Sequence, residues 1–232
     1  MFWVFVAQRD IAGDRVTISG DAGHHLARVL RVRPGEAGVV VRDGRGYAVE
    51  VAEVSADRVE TRVVGDQPVT SEPPVSITLL QALLPNPDFD GVIEAATALG
   101  VSRVFAMQAA RSVARPASGR INRWHSIAQS AAEQSHRGRI PEIAGPLSVE
   151  DALHSTADAR LLVLDPTADR RVEAAGGPGE RIAIAVGPEG GWTAVELDMM
   201  RERGATSVSL GPRILRARLA PIVALAILVQ QS

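Results

Sequence analysis

Residues 182–193 read IAIAVGPEGGWT, from Ile182 to Thr193, and residues 208–216 read VSLGPRILR, from Val208 to Arg216. Each begins as a short apolar run and breaks at a glycine-proline loop, the pattern of a buried strand leading into a helix. In the first, Val186-Gly187-Pro188-Glu189-Gly190-Gly191-Trp192 forms a loop whose backbone can approach a ligand closely, with helix N–H groups following Thr193. Taken alone, that loop reads more simply as a tight strand-to-helix turn. In the second, a strand over Val208–Leu210 gives way to Gly211-Pro212, and Ile214-Leu215 stands between Arg213 and Arg216. Two such loops at the carboxyl ends of strands in one sheet predict a ligand site, because that edge is where open α/β sheets bind. GPEGG does not fit the G-x-G-x-x-G dinucleotide pattern, and no acid suitably follows it to hold a ribose, which argues against a nicotinamide enzyme.

Outward from these loops, strands are expected at Val75–Leu80, Val104–Met107, Arg160–Leu164 and Ile182–Val186. They alternate with helices over Asp88–Leu99, over Ile121–Ser135, from Thr193 to Gly204, and from about Pro221 to Gln230. Ser148 with Asp151 and Thr193 with Glu196 carry the spacing of helix-capping pairs. This alternation predicts a parallel α/β domain. The first ~65 residues differ. Short runs at Val16–Ile18, Gly38–Arg42, Tyr47–Val51 and Val59–Val64, with a tight turn at Asp43-Gly44, predict a small β-barrel carrying a short helix over Gly23–Leu30. The polar, proline-rich stretch Gly65–Pro74 reads as the linker, so domains are expected at 1–70 and 71–232.

Composition removes several chemistries. All 25 basic side chains are Arg, which excludes a lysine phosphate loop and Schiff-base catalysis. Without Cys there are no thiolate metal sites and no cysteine nucleophile, and a reducing compartment fits. The five His lack metal-ligand spacing, so no metal is expected; His136, beside Arg137, is a candidate proton acceptor. The apolar start MFWVFVAQRD has no basic region before it, and the longest apolar run, Leu219–Val229, is shorter than the ~20 residues a bilayer requires. A cytoplasmic protein without membrane attachment is therefore expected. Net charge is only −2, but residues 101–141 hold seven Arg against one acid, and no acid follows Arg203. Such clusters read either as solvated faces or as an RNA footprint.

GPEGGW and LGPRILR, in this order near the C-terminus, resemble the signatures of the RsmE family, SPOUT-class methyltransferases acting on N3 of a uridine in 16S ribosomal RNA. Further blocks agree in order: His24-His25-Leu26, Val29-Leu30-Arg31, Gln81-Ala82-Leu83, Ala95–Val101, Ala110–Val113, Arg123-Trp124 and Ala132–Arg137. The resemblance implies a PUA-like RNA-binding barrel followed by a trefoil-knotted, Rossmann-like SPOUT domain. It implies S-adenosylmethionine held by Leu164, Gly187, Glu189, Gly190, Gly191, Leu210, Gly211, Ile214 and Leu215. It places Arg111, Arg137, Arg213 and Arg216 at catalytic positions, and Arg28 and Arg31 against RNA phosphates. Arg suits an anion developing on O2 and O4 of the base, being always protonated with a planar fork of donors. The chain also departs from the family: Ala217-Arg218-Leu219-Ala220 stands where Thr-Glu-Thr-Ala is usual, Leu84-Pro85-Asn86 replaces a basic residue, and Ala98 replaces an acid. A non-catalytic RNA-binding or ribosome-assembly protein, or an enzyme acting on a ribose 2′-oxygen, therefore stays open beside the leading reading. A homodimer is expected, since residues 219–229 are apolar on every face and one chain buries only part of such a helix; Leu225 is the residue chosen to face the partner.

Overall fold

A computed structural model describes residues 1–115, 119–173 and 179–229. The chain divides into two units, Met1–Glu72 with Ala132–Arg139, and Pro73–Ala131 with Ile140–Ser232.

In the first unit, β1 (Phe2–Phe5), β2 (Ile11–Ala12), β3 (Arg15–Ile18), β4 (Ala37–Arg42), β5 (Arg45–Val54) and β6 (Val59–Gln67) form one sheet in the order β1-β4-β5-β6-β3-β2. All neighbours are antiparallel except β1 and β4. Register shifts in the β5–β6 pair bend the sheet. Inward residues alternate, and Phe2, Val4, Val16, Ile18, Val40, Val49, Val51 and Val59 form the core. The Asp43-Gly44 turn is as expected: both residues have positive φ, which a two-residue hairpin requires and an Asp-Gly pair tolerates. The apolar start of the chain is β1, and Gly38 opposite Phe2 leaves room for its ring. The short helix begins earlier than expected, as α1 (Gly20–His24), and continues into a π-helical turn over His25–Leu30.

The second unit alternates strand and helix, as the apolar periodicity predicts. Its elements are β7 (Ser76–Ala82), α2 (Asp88–Ala98), β8 (Arg103–Gln108), α3 (Arg120–Gln134), β9 (Glu142–Ser148), α4 (Val149–His154), β10 (Arg160–Leu164), β11 (Arg181–Val186), α5 (Ala194–Glu202), β12 (Thr206–Val208) and α6 (Ala220–Val229). The last residues of α3 belong with the first unit. The sheet is parallel throughout, in the order β12-β10-β11-β7-β8-β9. Alternate residues of one strand serve opposite faces. Ile182, Ile184 and Val186 meet Phe89, Ile93, Trp124 and Leu225, from α2, α3 and α6. Ala183 and Ala185 meet Leu153 and Met200, from α4 and α5.

β9, like β1, forms where no strand is expected from the sequence. The last strand ends at Val208, with Ser209 making only a bridge to Arg171, and residue 230, the expected end of the last helix, lies outside the described residues. Leu225 is only 1% exposed and packs into its own chain's core, so it does not face a partner; Ile222, Val223 and Ala226 form the half-buried side of α6.

Candidate functional site

The carboxyl ends of β10 and β11 lie side by side, and the residues beyond them enclose a cavity of about 580 Å³. Leu164, Asp165, Pro166 and Thr167 line it from β10 and its loop, Val186–Glu189 with Gly191 and Trp192 from β11, and Ile214–Ala217 from the segment before α6. The walls are largely apolar, with Asp165, Glu189 and Arg216 the charged residues among those lining it; the Asp165 carboxylate accepts from the Thr167 N–H and hydroxyl at 2.9 and 2.7 Å. That size and mixture suit a nucleoside-sized ligand.

The glycine loop is shaped by its own tryptophan. The Trp192 indole donates to the Leu164 carbonyl at 3.2 Å, and its ring lies where a Cβ on Gly187 would stand 3.1 Å away. Glycine at 187 thus lets the ring close over the β11 end. Gly191, at φ 67, turns the chain back.

The loop after β8 is fastened onto the same structure. Arg111 donates through Nη1 to the carbonyls of Gly190 (2.9 Å) and Trp192 (3.2 Å). Glu196, 6% exposed, accepts from the Ala110 N–H at Oε1 and from the Thr193 N–H and hydroxyl at Oε2, each at 2.8 Å. The capping pair expected from sequence is present, with Glu196 N–H donating back to the Thr193 hydroxyl. The bridge to Ala110 was not expected, because nothing local in the sequence signals it. The other expected cap also forms, Ser148 accepting from the Asp151 N–H at 3.0 Å.

Of the residues proposed to hold a cofactor, Leu164, Gly187, Glu189, Gly191, Ile214 and Leu215 line the cavity. Gly190, Leu210 and Gly211 do not: Gly190 supplies a carbonyl to Arg111, Leu210 packs toward the core, and Gly211 turns the chain at φ 96. Sequence reasoning missed Asp165–Thr167, Trp192 and Leu197; the strand-end rule that located the glycine loops applies equally after Leu164. Arg216 lines the cavity, and Arg213 is exposed beside it in sequence. Arg218 pairs with Asp88 at 3.2 Å.

Arg137 is placed differently. It lies in the first unit, 2% exposed, and forks onto Glu72 through Nε (3.2 Å) and Nη2 (2.7 Å). Its carbonyl accepts from the Trp3 indole, and that ring stacks on His136 with centroids 4.9 Å apart. Both of these guanidinium bonds go to Glu72. Arg28 and Arg31 are exposed in the first unit, Arg28 donating to the Ala56 carbonyl at 3.3 Å.

Among known proteins, residues 71–229 match the family model described as an RNA methyltransferase domain, and residues 18–64 match that of an RNA methyltransferase PUA domain. The chain is 37% identical over 227 residues to ribosomal RNA small subunit methyltransferase E of Mycobacterium tuberculosis, covering 92% of this chain and 85% of that one. It is 34% identical over 233 residues to the protein of the same name from Synechocystis, covering 95% and 75%. In structure it resembles ribosomal RNA small subunit methyltransferase E from Neisseria gonorrhoeae bound to S-adenosyl methionine, with a TM-score of 0.89 and 28% identity over 97% of this chain and 95% of that one.

Proposed function

The chain belongs to the RNA methyltransferase family, and we propose that it transfers a methyl group from S-adenosylmethionine to N3 of a uridine in small-subunit ribosomal RNA. The observation that carries this reading is the cavity at the ends of β10 and β11, built from the same two glycine-proline segments that carry the family resemblance. Its apolar walls suit an adenosine, and Asp165 and Glu189 complement ammonium and sulfonium charge. When bound, the cofactor supplies an electrophilic methyl group for in-line displacement.

The chain's own residues supply position and charge. Leu164, Gly187, Glu189, Gly191, Ile214 and Leu215 form the binding walls, while Gly190, Leu210 and Gly211 set the shape of the segments. Attack by N3 requires loss of the imide proton and compensation of charge on O2 and O4. Arg111, Arg213 and Arg216 are assigned to that compensation, Arg111 being held in place by two loop carbonyls. Arg137 is assigned to the framework of the first unit, and Arg28 and Arg31 to phosphate contacts.

The remaining features of the proposal are a trefoil knot in the second unit, domains divided near residue 70, a cytoplasmic setting and a homodimer. The half-buried side of the wholly apolar α6 supports the dimer. Among the described residues no helix is long and apolar enough to cross a membrane. Mass spectrometry of nucleosides from 16S ribosomal RNA incubated with protein and labelled S-adenosylmethionine tests the reaction. N3-methyluridine is expected. A 2′-O-methylated nucleoside, or cofactor binding without product, would overturn it.

A further inference from the structure

We propose that Val29 and Leu30 form an apolar wedge that enters between stacked bases of the RNA, with Arg28 and Arg31 holding the phosphates on either side. This rests on the reading of the chain as an RNA methyltransferase and says how its first unit grips the substrate.

Val29 is 61% exposed and Leu30 53%, adjacent in a unit whose other apolar side chains largely line its core. Their exposure follows from the backbone. Beyond α1 the chain widens into a π-helical turn over His25–Leu30, a rare geometry concentrated at functional sites. It ends on Arg31 at φ 54, a left-handed conformation that costs a side-chain-bearing residue energy. The Val32 N–H closes the turn on the Leu26 carbonyl at 3.1 Å, and Leu26 and Val32 are buried. The turn thus anchors itself by two apolar residues and holds two others out in water.

Charge identifies the partner. Residues 21–36 contain Arg28, Arg31, Arg33, His24 and His25 against two acids, Asp21 and Glu36, one at each end of the stretch. A protein groove that took the apolar pair would also have to compensate these guanidinium groups. Nucleic acid offers phosphates and apolar base faces at adjacent positions, and apolar side chains inserted at a base step are a known way to use both.

The test is the affinity of the full chain for a fluorescein-labelled 16S ribosomal RNA transcript, measured across a series of salt concentrations. The double variant Val29→Ser/Leu30→Ser should raise Kd about tenfold at every salt concentration while leaving the slope of log Kd against log salt unchanged. Leu30→Phe should retain binding, because an aromatic ring stacks on bases. Arg28→Ala/Arg31→Ala should flatten the slope by about one for each Arg. Unchanged affinity in the serine variant, or a loss accompanied by a flatter slope, overturns the wedge while the proposed reaction stands. A wild-type chain that binds no RNA overturns both, and circular dichroism verifies that each variant is folded.

Discussion

Glu196 and Ala110 lie 86 residues apart in sequence, and a 2.8 Å hydrogen bond from the Ala110 N–H to Glu196 Oε1 ties the loop after β8 to the start of α5. The next residue, Arg111, then reaches the carbonyls of Gly190 and Trp192. One buried carboxylate caps its helix and also fixes where a proposed catalytic guanidinium stands.

Removing that bridge should therefore act through Arg111. Glu196→Ala leaves the Ala110 N–H without its partner, at a cost of about 1–3 kcal/mol. Methyl transfer should fall, mainly in kcat, and the fall should shrink toward nothing in an Arg111→Ala background, since positioning has no further effect once the positioned group is gone. Equal losses in both backgrounds would mean that Glu196 acts independently of Arg111.

Gly187→Val should weaken binding of S-adenosylhomocysteine by at least about tenfold, because even a Cβ there meets the Trp192 ring at 3.1 Å. Gly211→Val should do the same by a different route: the space near its Cβ is open, but φ is 96, and the strain falls on the segment leading to Ile214. Calorimetry with unchanged affinity in both variants would move the cofactor elsewhere.

Arg137→Ala should destabilise the first unit by about 1–3 kcal/mol, since a buried guanidinium loses its forked bonds while Glu72, 27% exposed, stays partly solvated. Glu72 would keep its bonds from the N–H groups of Gly138 and Arg139 but lose its counter-charge. Denaturant unfolding reads the effect. An unchanged midpoint together with abolished methyl transfer would return Arg137 to the reaction.

The dimer is tested on the half-buried side of α6. Val223→Glu should convert a particle of about twice 24.5 kDa into a monomer in sedimentation, with the fold retained. Leu225→Glu should instead unfold the second unit, since Leu225 is 1% exposed in the core. A wild-type chain that is monomeric and fully active would refute the assembly.

Much of the architecture could be read from neighbouring residues alone, because strand alternation, helix periodicity, the Asp43-Gly44 turn and the Thr193–Glu196 cap are local interactions recorded in local spacing. The two glycine-proline segments could be read for the same reason: a strand end, a loop and a helix start are contiguous. Tertiary structure decided what depends on which distant residues meet. Phe2–Phe5 became a strand because β4 accepted it as a parallel neighbour. Arg137 is paired with Glu72, 65 residues earlier, because the fold brings the two together. Leu225 turned inward because α6 packs against α2 over the sheet. An apolar helix specifies only that its faces be covered, and an arginine only that its charge be matched. Chain topology selects the partner, and no periodicity along the sequence records that choice.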